Sequence, residues 1–275
     1  MRSLAGGERS SLLPRIASAL VLAPVAIAAI WFGGLPFQLL TLGAAGIMAW
    51  EWARLCRGGT LGRSGLTGIA VVLVVVVLGA SGLTMPAVVL SLTGSLAIYA
   101  LGRIDGDTAP SWLAAGLIWL ALPCVLLLWL SRLDPAGRTT VLWIFAIVWA
   151  TDVGAYAAGR GIGGPRLAPR LSPRKTWAGL IGGVFCAGLA GWSTGHFTAV
   201  SPVLPLILVS AALAIVEQFG DLVESMAKRR FNVKDSSGLI PGHGGLLDRL
   251  DGLLTVVPAV ALLTWIDNGR VLAWR

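Results

Sequence analysis

Apolar residues in this chain come in long runs separated by short polar connections, and few stretches carry the polar face that a half-buried soluble helix or strand needs. Nine runs stand out: Ile16 to Phe32, Leu35 to Trp50, Leu66 to Leu83, Pro86 to Leu101, Trp112 to Leu130, Val141 to Ala158, Trp177 to about Val200, Val203 to Phe219, and Leu253 to Ile266. Several fall short of the roughly 20 residues that a perpendicular bilayer-crossing helix needs, so the number of spans is about nine. Backbone groups in hydrocarbon must be paired within the segment or within a closed barrel, and nothing here alternates like a barrel strand. The pattern predicts an all-α polytopic membrane protein.

Composition agrees. The 275 residues are 56% hydrophobic, with mean hydropathy +0.82 and 12% charged residues, where a soluble domain carries about 25% charge. The runs leave no space for a separate soluble domain. Residues 1–140 are read as N-terminal helices of unclear role and 141–275 as the catalytic region. Cys56, Cys124 and Cys186 stand singly, without the pairing of a disulfide framework or a zinc site. Ala26-Ile27-Ala28 faintly imitates a signal-peptidase site, but the apolar run continues past it and an uncleaved first helix is expected.

A net charge of +8 could suggest nucleic acid in a soluble protein; here the basic residues sit in the connections, which points to topology and anionic lipid. With nine helices and a cytoplasmic N-terminus, all of the 21 Lys and Arg except Arg132, Arg138, Arg270 and Arg275 fall inside. The positive-inside rule therefore selects this orientation. It places two unusual polar segments, Gly159 to Thr176 and Asp221 to Asp251, on the cytoplasmic side, where nucleoside triphosphates are available.

Those segments carry the candidate chemistry. Between positions 221 and 251 lie Asp221, Glu224, Lys228, Arg229, Arg230, Lys234, Asp235, Asp248, Arg249 and Asp251, a dense group in a chain this poor in charge. If the preceding span continues as a helix, Asp221, Ser225 and Lys228 share a face; if a helix starts near Gly245, Asp248 and Asp251 stack about one turn apart. Carboxylates on two helix ends suit a hard cation such as Mg²⁺, which prefers oxygen ligands and is commonly shared with phosphates. Gly242, Gly244 and Gly245 allow close approach of backbone to a phosphate, helped by a helix N-terminus just beyond. A merely solvated loop accounts poorly for so much charge beside membrane spans.

The string Ser225-x2-Lys228-Arg229-x4-Lys234-Asp235-x5-Pro241-x-His243-Gly244-Gly245-x2-Asp248-Arg249-x-Asp251 resembles the signature of the phosphatidate cytidylyltransferase family. A second segment is similar to that family's other cytoplasmic element: Asp152-Val153-Gly154-Ala155-Tyr156, Gly159-Arg160, and Leu171-Ser172-Pro173-Arg174-Lys175-Thr176-Trp177-Ala178-Gly179, with Ala178 where relatives often carry Glu or Gln. The close resemblance covers roughly the last 130 residues. The N-terminal half resembles the family loosely, through hydropathy and Trp50-Glu51-Trp52-Ala53-Arg54-Leu55, and has no assigned role.

The resemblance implies a multi-pass, cytoplasmic-side enzyme of the plasma membrane, if the source is bacterial, that makes CDP-diacylglycerol and pyrophosphate from CTP and phosphatidic acid. It also implies Mg²⁺, a possible second cation, and a homodimer, with no nucleic-acid partner. Asp221, Asp248 and Lys228 are the expected catalytic residues, with Asp221, Asp248 and Asp251 on the metal. Ser172, Lys175, Thr176, Arg229, Lys234, Asp235, His243 and Arg249 are the expected substrate contacts. A CTP-dependent lipid kinase would differ in its products, CDP and a lipid phosphate. A transporter would disperse its ionisable residues at mid-membrane, whereas these crowd one edge.

Overall fold

The computed structural model describes residues 5–200, 202–242 and 244–267. Nine α-helices form in chain order among these residues: α1 (Ala5–Phe32), α2 (Gly34–Cys56), α3 (Gly62–Ala80), α4 (Thr84–Ile104), α5 (Pro110–Ser131), α6 (Gly137–Gly161), α7 (Trp177–Phe197), α8 (Leu204–Arg230) and α9 (Leu247–Ile266). Seven, α3 to α9, are long and apolar enough to cross a membrane. α1 has a shorter apolar stretch, Leu20–Phe32, and α2 carries Glu51 and Arg54 near its end. The chain is a multi-pass helical membrane protein.

Several helices outrun their apolar runs, and the two ends that matter for the site do so for one reason. α8 runs on to Arg230 and α9 starts at Leu247, both beyond the apolar runs, because polar residues continue a helix wherever protein rather than lipid surrounds them. Hydropathy also gave no sign of the short antiparallel pair β1 (Arg166–Ala168) and β2 (Ser172–Thr176) that joins α6 to α7.

The helices belong to two compact units. One contains the chain up to Ala121 together with Phe231–Leu250; the other contains Leu122–Arg230 and the chain from Asp251 onward.

In the second unit α7 packs on both α6 and α8. Its buried Gly179, Gly183, Ala187, Gly191 and Gly195 recur every four residues along one stripe. A Cβ on Gly183 would lie 3.1 Å from the Thr151 carbonyl oxygen of α6, and one on Gly191 2.8 Å from the Leu206 carbonyl oxygen of α8. Small residues at this spacing let helix backbones approach closely in a membrane, where water provides no hydrophobic drive between helices. Across the same unit the buried Trp143 of α6 donates its indole N–H to the Ser210 hydroxyl of α8 at 3.0 Å.

In the first unit α2, α3 and α4 pack in sequence. Buried Ser95 donates to the Ala114 carbonyl at 2.8 Å, and Arg57 pairs with Asp107. Phe231–Leu250 also folds here, as a loop leading into the first turn of α9. Asn232, at φ 55°, follows the end of α8 in a left-handed conformation that asparagine tolerates and that stops a helix. Pro241-Gly242, with Gly242 at φ 76°, suits a type II turn. Ile240 and Gly244 then close a backbone bridge of 2.8 Å.

Candidate active site

In the second unit, the extension of α8 beyond its apolar run puts Asp221, Glu224, Ser225 and Lys228 on neighbouring turns. The α9 turn that follows Leu250 adds Asp251. Gly220 makes the approach possible: a Cβ there would meet the Thr255 side chain and lie 3.0 Å from the Asp251 carbonyl oxygen. The carboxylates of Asp221, Glu224 and Asp251 consequently each offer an oxygen within 4.8 Å of the others. Glu224 is buried and the other two are half-buried.

Two lysines meet this cluster. Lys175, at the end of β2, reaches Asp221 at 2.6 Å, and Lys228 reaches Glu224 at 3.0 Å across one helical turn. Asp221 also receives the Ser225 hydroxyl at 3.4 Å, and Asp251 accepts its neighbour Gly252 N–H at 2.9 Å. The Arg229 guanidinium donates to the Leu171 carbonyl at 3.4 Å, tying the end of α8 to the β1–β2 hairpin. The segments Ser172 to Thr176 and Asp221 to Arg230, separate in sequence, therefore stand side by side.

Thr176 caps α7, its hydroxyl accepting the Gly179 N–H at 3.0 Å. Ser172 opens β2, half-buried. Deeper along α8, Glu217 is buried and takes the Gln218 side-chain N–H at 2.8 Å. Asp152 of α6 lies close enough to Glu217 and Asp251 for their charges to interact. Asp221, Glu224 and Asp251 set three carboxylates against two lysines in the described ion pairs, a local excess of negative charge that a divalent cation or triphosphate-bound metal relieves.

In the first unit, Asp248 is used differently. Its Oδ2 accepts the Ser236 N–H at 2.9 Å, the Ser236 hydroxyl at 2.9 Å and the Gly245 N–H at 2.8 Å. It is 8% exposed and holds the loop to the start of α9. Lys234, Asp235 and Arg249 are exposed on this loop and the first turn of α9. His243 lies outside the described residues. Glu224 joins the acidic group although the sequence reading did not nominate it; its spacing of three residues from Asp221, on a helix already argued to extend, was the available signal.

Membrane-crossing helices that end in facing acids and bases define a polytopic membrane enzyme that handles charged groups at the bilayer boundary. The chain belongs to the cytidylyltransferase family, whose model matches residues 13–267, and is a nucleotidyltransferase. Among its relatives are proteins named phosphatidate cytidylyltransferase: that of Brucella suis, 38% identical over 254 residues that cover 92% of each chain; that of Pseudomonas aeruginosa, 35% identical over 260 residues, 91% of this chain and 96% of the relative; and that of Haemophilus influenzae, 46% identical over 127 residues, 44% of each. The similarity to the first two runs through the N-terminal half, well beyond the segments that carry the motifs.

Proposed function

We propose that this enzyme is a phosphatidate cytidylyltransferase, joining CTP and phosphatidic acid to give CDP-diacylglycerol and pyrophosphate. The observation that carries the mechanism is the 2.6 Å pair between Lys175 and Asp221, which joins the hairpin to the polar end of α8 within the second unit. A phosphate oxygen of phosphatidic acid attacks the α-phosphorus of CTP. The new P–O bond forms as the bond to the bridging oxygen between the α- and β-phosphorus breaks, and pyrophosphate leaves with that bond's electrons. The second pKa of a phosphate monoester is about 6, so the nucleophile is largely ionised at neutral pH and needs little help from a general base. The demand is electrostatic: two polyanions must be held together while charge moves onto the leaving group.

Lys175, Lys228 and Arg229 meet that demand in the second unit, and the family motif assigns phosphate contacts to Lys234 and Arg249 as well. Ser172 and Thr176 set the hairpin against the substrate phosphates, and Asp235 and His243 orient the ribose or neighbouring side chains. Asp221, Glu224 and Asp251 are proposed to hold Mg²⁺, because their three oxygens lie at a separation one hard cation can bridge. Bound there, Mg²⁺ would neutralise phosphate charge and stabilise the leaving pyrophosphate. Asp248, whose Oδ2 is occupied by three donors, is assigned to holding the loop. The excess acid around Glu217 and Asp152 is compatible with a second cation.

The basic connections support a cytoplasmic N-terminus and a cytoplasmic active site in the bacterial plasma membrane, and the enzyme is proposed to work as a homodimer. The catalytic region is 141–275, with phosphatidic acid entering from the bilayer. The test is to supply purified protein with labelled CTP, phosphatidic acid and Mg²⁺. CDP-lipid with pyrophosphate is the expected product pair; CDP with a lipid phosphate, or no turnover, would replace the reading.

A further inference from the structure

The N-terminal half carries a conspicuous Trp50-Glu51-Trp52 in α2 that the chemistry above does not use. Glu51 has no exposed surface. Its Oε1 accepts the Ser237 hydroxyl at 2.5 Å and the Leu246 N–H at 2.9 Å. Its Oε2 accepts the Leu247 N–H at 2.7 Å and the Ser236 hydroxyl at 3.4 Å. All four donors lie in the loop or at the first residues of α9. A Cβ on Gly245 would collide with both Glu51 and Ser236, so glycine is what allows the carboxylate to sit against this backbone.

The next residue holds the other end of the same segment. Trp52, also buried, donates its indole N–H to the Trp112 carbonyl at 2.9 Å, and its ring stands 6.3 Å from that of Trp112. Trp112 in turn meets Phe231 edge-on, with ring centroids 5.9 Å apart. Phe231 opens the segment and Leu247 closes it. Two adjacent residues of α2, pointing about 100° apart on the helix, therefore address the two ends of a loop that lies some 185 residues later in the chain.

The occupied N–H groups of Leu246 and Leu247 carry a second consequence. A helix N-terminus with open N–H groups attracts phosphate; here the chain's own carboxylate fills that position. The start of α9 is thus held by Glu51, while the side chains of Lys234 and Arg249 on the same segment remain exposed.

We propose that Glu51 is a positioning residue for the reaction: it sets the loop 234–249, and with it Lys234 and Arg249, in the conformation that receives the CTP phosphates. Trp52 supports the opposite end of the loop through Trp112. The proposal rests on the assignment of CTP as substrate, but its structural part can be read without turnover.

Glu51→Gln retains the volume of the side chain and one carbonyl acceptor while turning an NH₂ group toward donors that need an acceptor. In the purified full-length protein it is expected to raise KM for CTP at least about tenfold and leave KM for phosphatidic acid within about twofold. Hydrogen exchange at residues 236–247 is expected to speed up by about tenfold or more, with exchange in α6 and α7 unchanged. A residue that only maintained the fold would lower the amount of active enzyme and leave KM for CTP where it was, and that result overturns the proposal. Unchanged exchange at 236–247 overturns it equally. Ser237→Ala removes the shortest of the four bonds from the loop side and is expected to move KM for CTP and loop exchange in the same direction by a smaller factor. If Glu51→Gln does not fold, Ser237→Ala decides alone, and unaltered KM and exchange in that variant refute the proposal. Failure of the wild-type protein to make CDP-lipid would instead overturn the function, leaving the exchange measurement to judge the clamp.

Discussion

Two groups of buried or half-buried acids lie in the two compact units of this enzyme, and they have opposite surroundings. Glu51 and Asp248 are met by backbone N–H groups and serine hydroxyls, six donors making seven hydrogen bonds among the described residues. Asp221, Glu224 and Asp251 face one another and two lysines, with neutral donors from Ser225 to Asp221 and from Gly252 to Asp251. A carboxylate oxygen filled by neutral donors of fixed geometry has its lone pairs committed and acts as a structural joint. Carboxylates that face carboxylates retain a demand for mobile positive charge, and that demand is what a metal-bound triphosphate satisfies. The identity of the side chain does not separate the two groups; the donors around it do.

The largest effect that tests this contrast comes from the facing group. Asp221→Asn or Asp251→Asn is expected to lower kcat by about 10³-fold or more, beyond the 10²–10³ typical of losing a single electrostatic contact, in protein that still elutes as the wild type does. Mg²⁺ should also raise the melting temperature of the wild-type protein, because a ligand that binds only the folded state stabilises it by mass action. Asp221→Asn should abolish that rise. Near-normal turnover, or a Mg²⁺-induced rise of wild-type size in Asp221→Asn, would remove Asp221 from the metal set.

Next comes the cation that joins the hairpin to the cluster. Lys175→Met retains the aliphatic stem while removing the charge that meets Asp221 at 2.6 Å. KM for at least one substrate is expected to rise by about 10- to 100-fold, in line with a charged contact of about 1.5–3 kcal/mol. Steady-state kinetics with each substrate varied in turn checks this, and unchanged KM for both would take Lys175 out of the site.

Much of this arrangement is legible in the residues themselves. Unbroken apolar runs give the spans because lipid permits little else, and the crowding of charge between 221 and 251 marks a candidate site because charge is costly beside hydrocarbon. The motif spacing points to Lys175 and Asp221 as members of that site, and the structure sets them in contact. Three things are less legible. Helix extension past Phe219 depends on protein replacing lipid around the chain, so hydropathy leaves it a condition, and Glu224 was not picked out on the extended helix even though its spacing from Asp221 was available. The β1–β2 hairpin is too short for a periodicity signal. Glu51 needed the fold, since its partners are close only after α2 and the loop have packed, and a single glutamate beside two tryptophans looks like interfacial composition.

The smallest expected effect is the most discriminating. The motif spacing suggests Asp248 as a metal ligand, one turn from Asp251, whereas its Oδ2 in the structure is shared among the N–H and hydroxyl of Ser236 and the N–H of Gly245. Asparagine can present its carbonyl oxygen to the same three donors, so Asp248→Asn should retain the joint and lose only charge assistance. Charged hydrogen bonds exceed neutral ones by roughly 1 kcal/mol, and kcat is therefore expected to fall by no more than about tenfold. Asp248→Ala leaves buried N–H groups without an acceptor, at about 1–3 kcal/mol each, and should loosen residues 236–247 in hydrogen exchange as well as lower turnover. The order of the three variants decides between the two roles: a joint predicts that Asn is mild, Ala is worse, and Mg²⁺ still raises the melting temperature of both. A metal ligand predicts that Asn is as damaging as Asp221→Asn and that the Mg²⁺ response disappears, and that outcome would return Asp248 to the metal and dissolve the contrast between the two groups of acids.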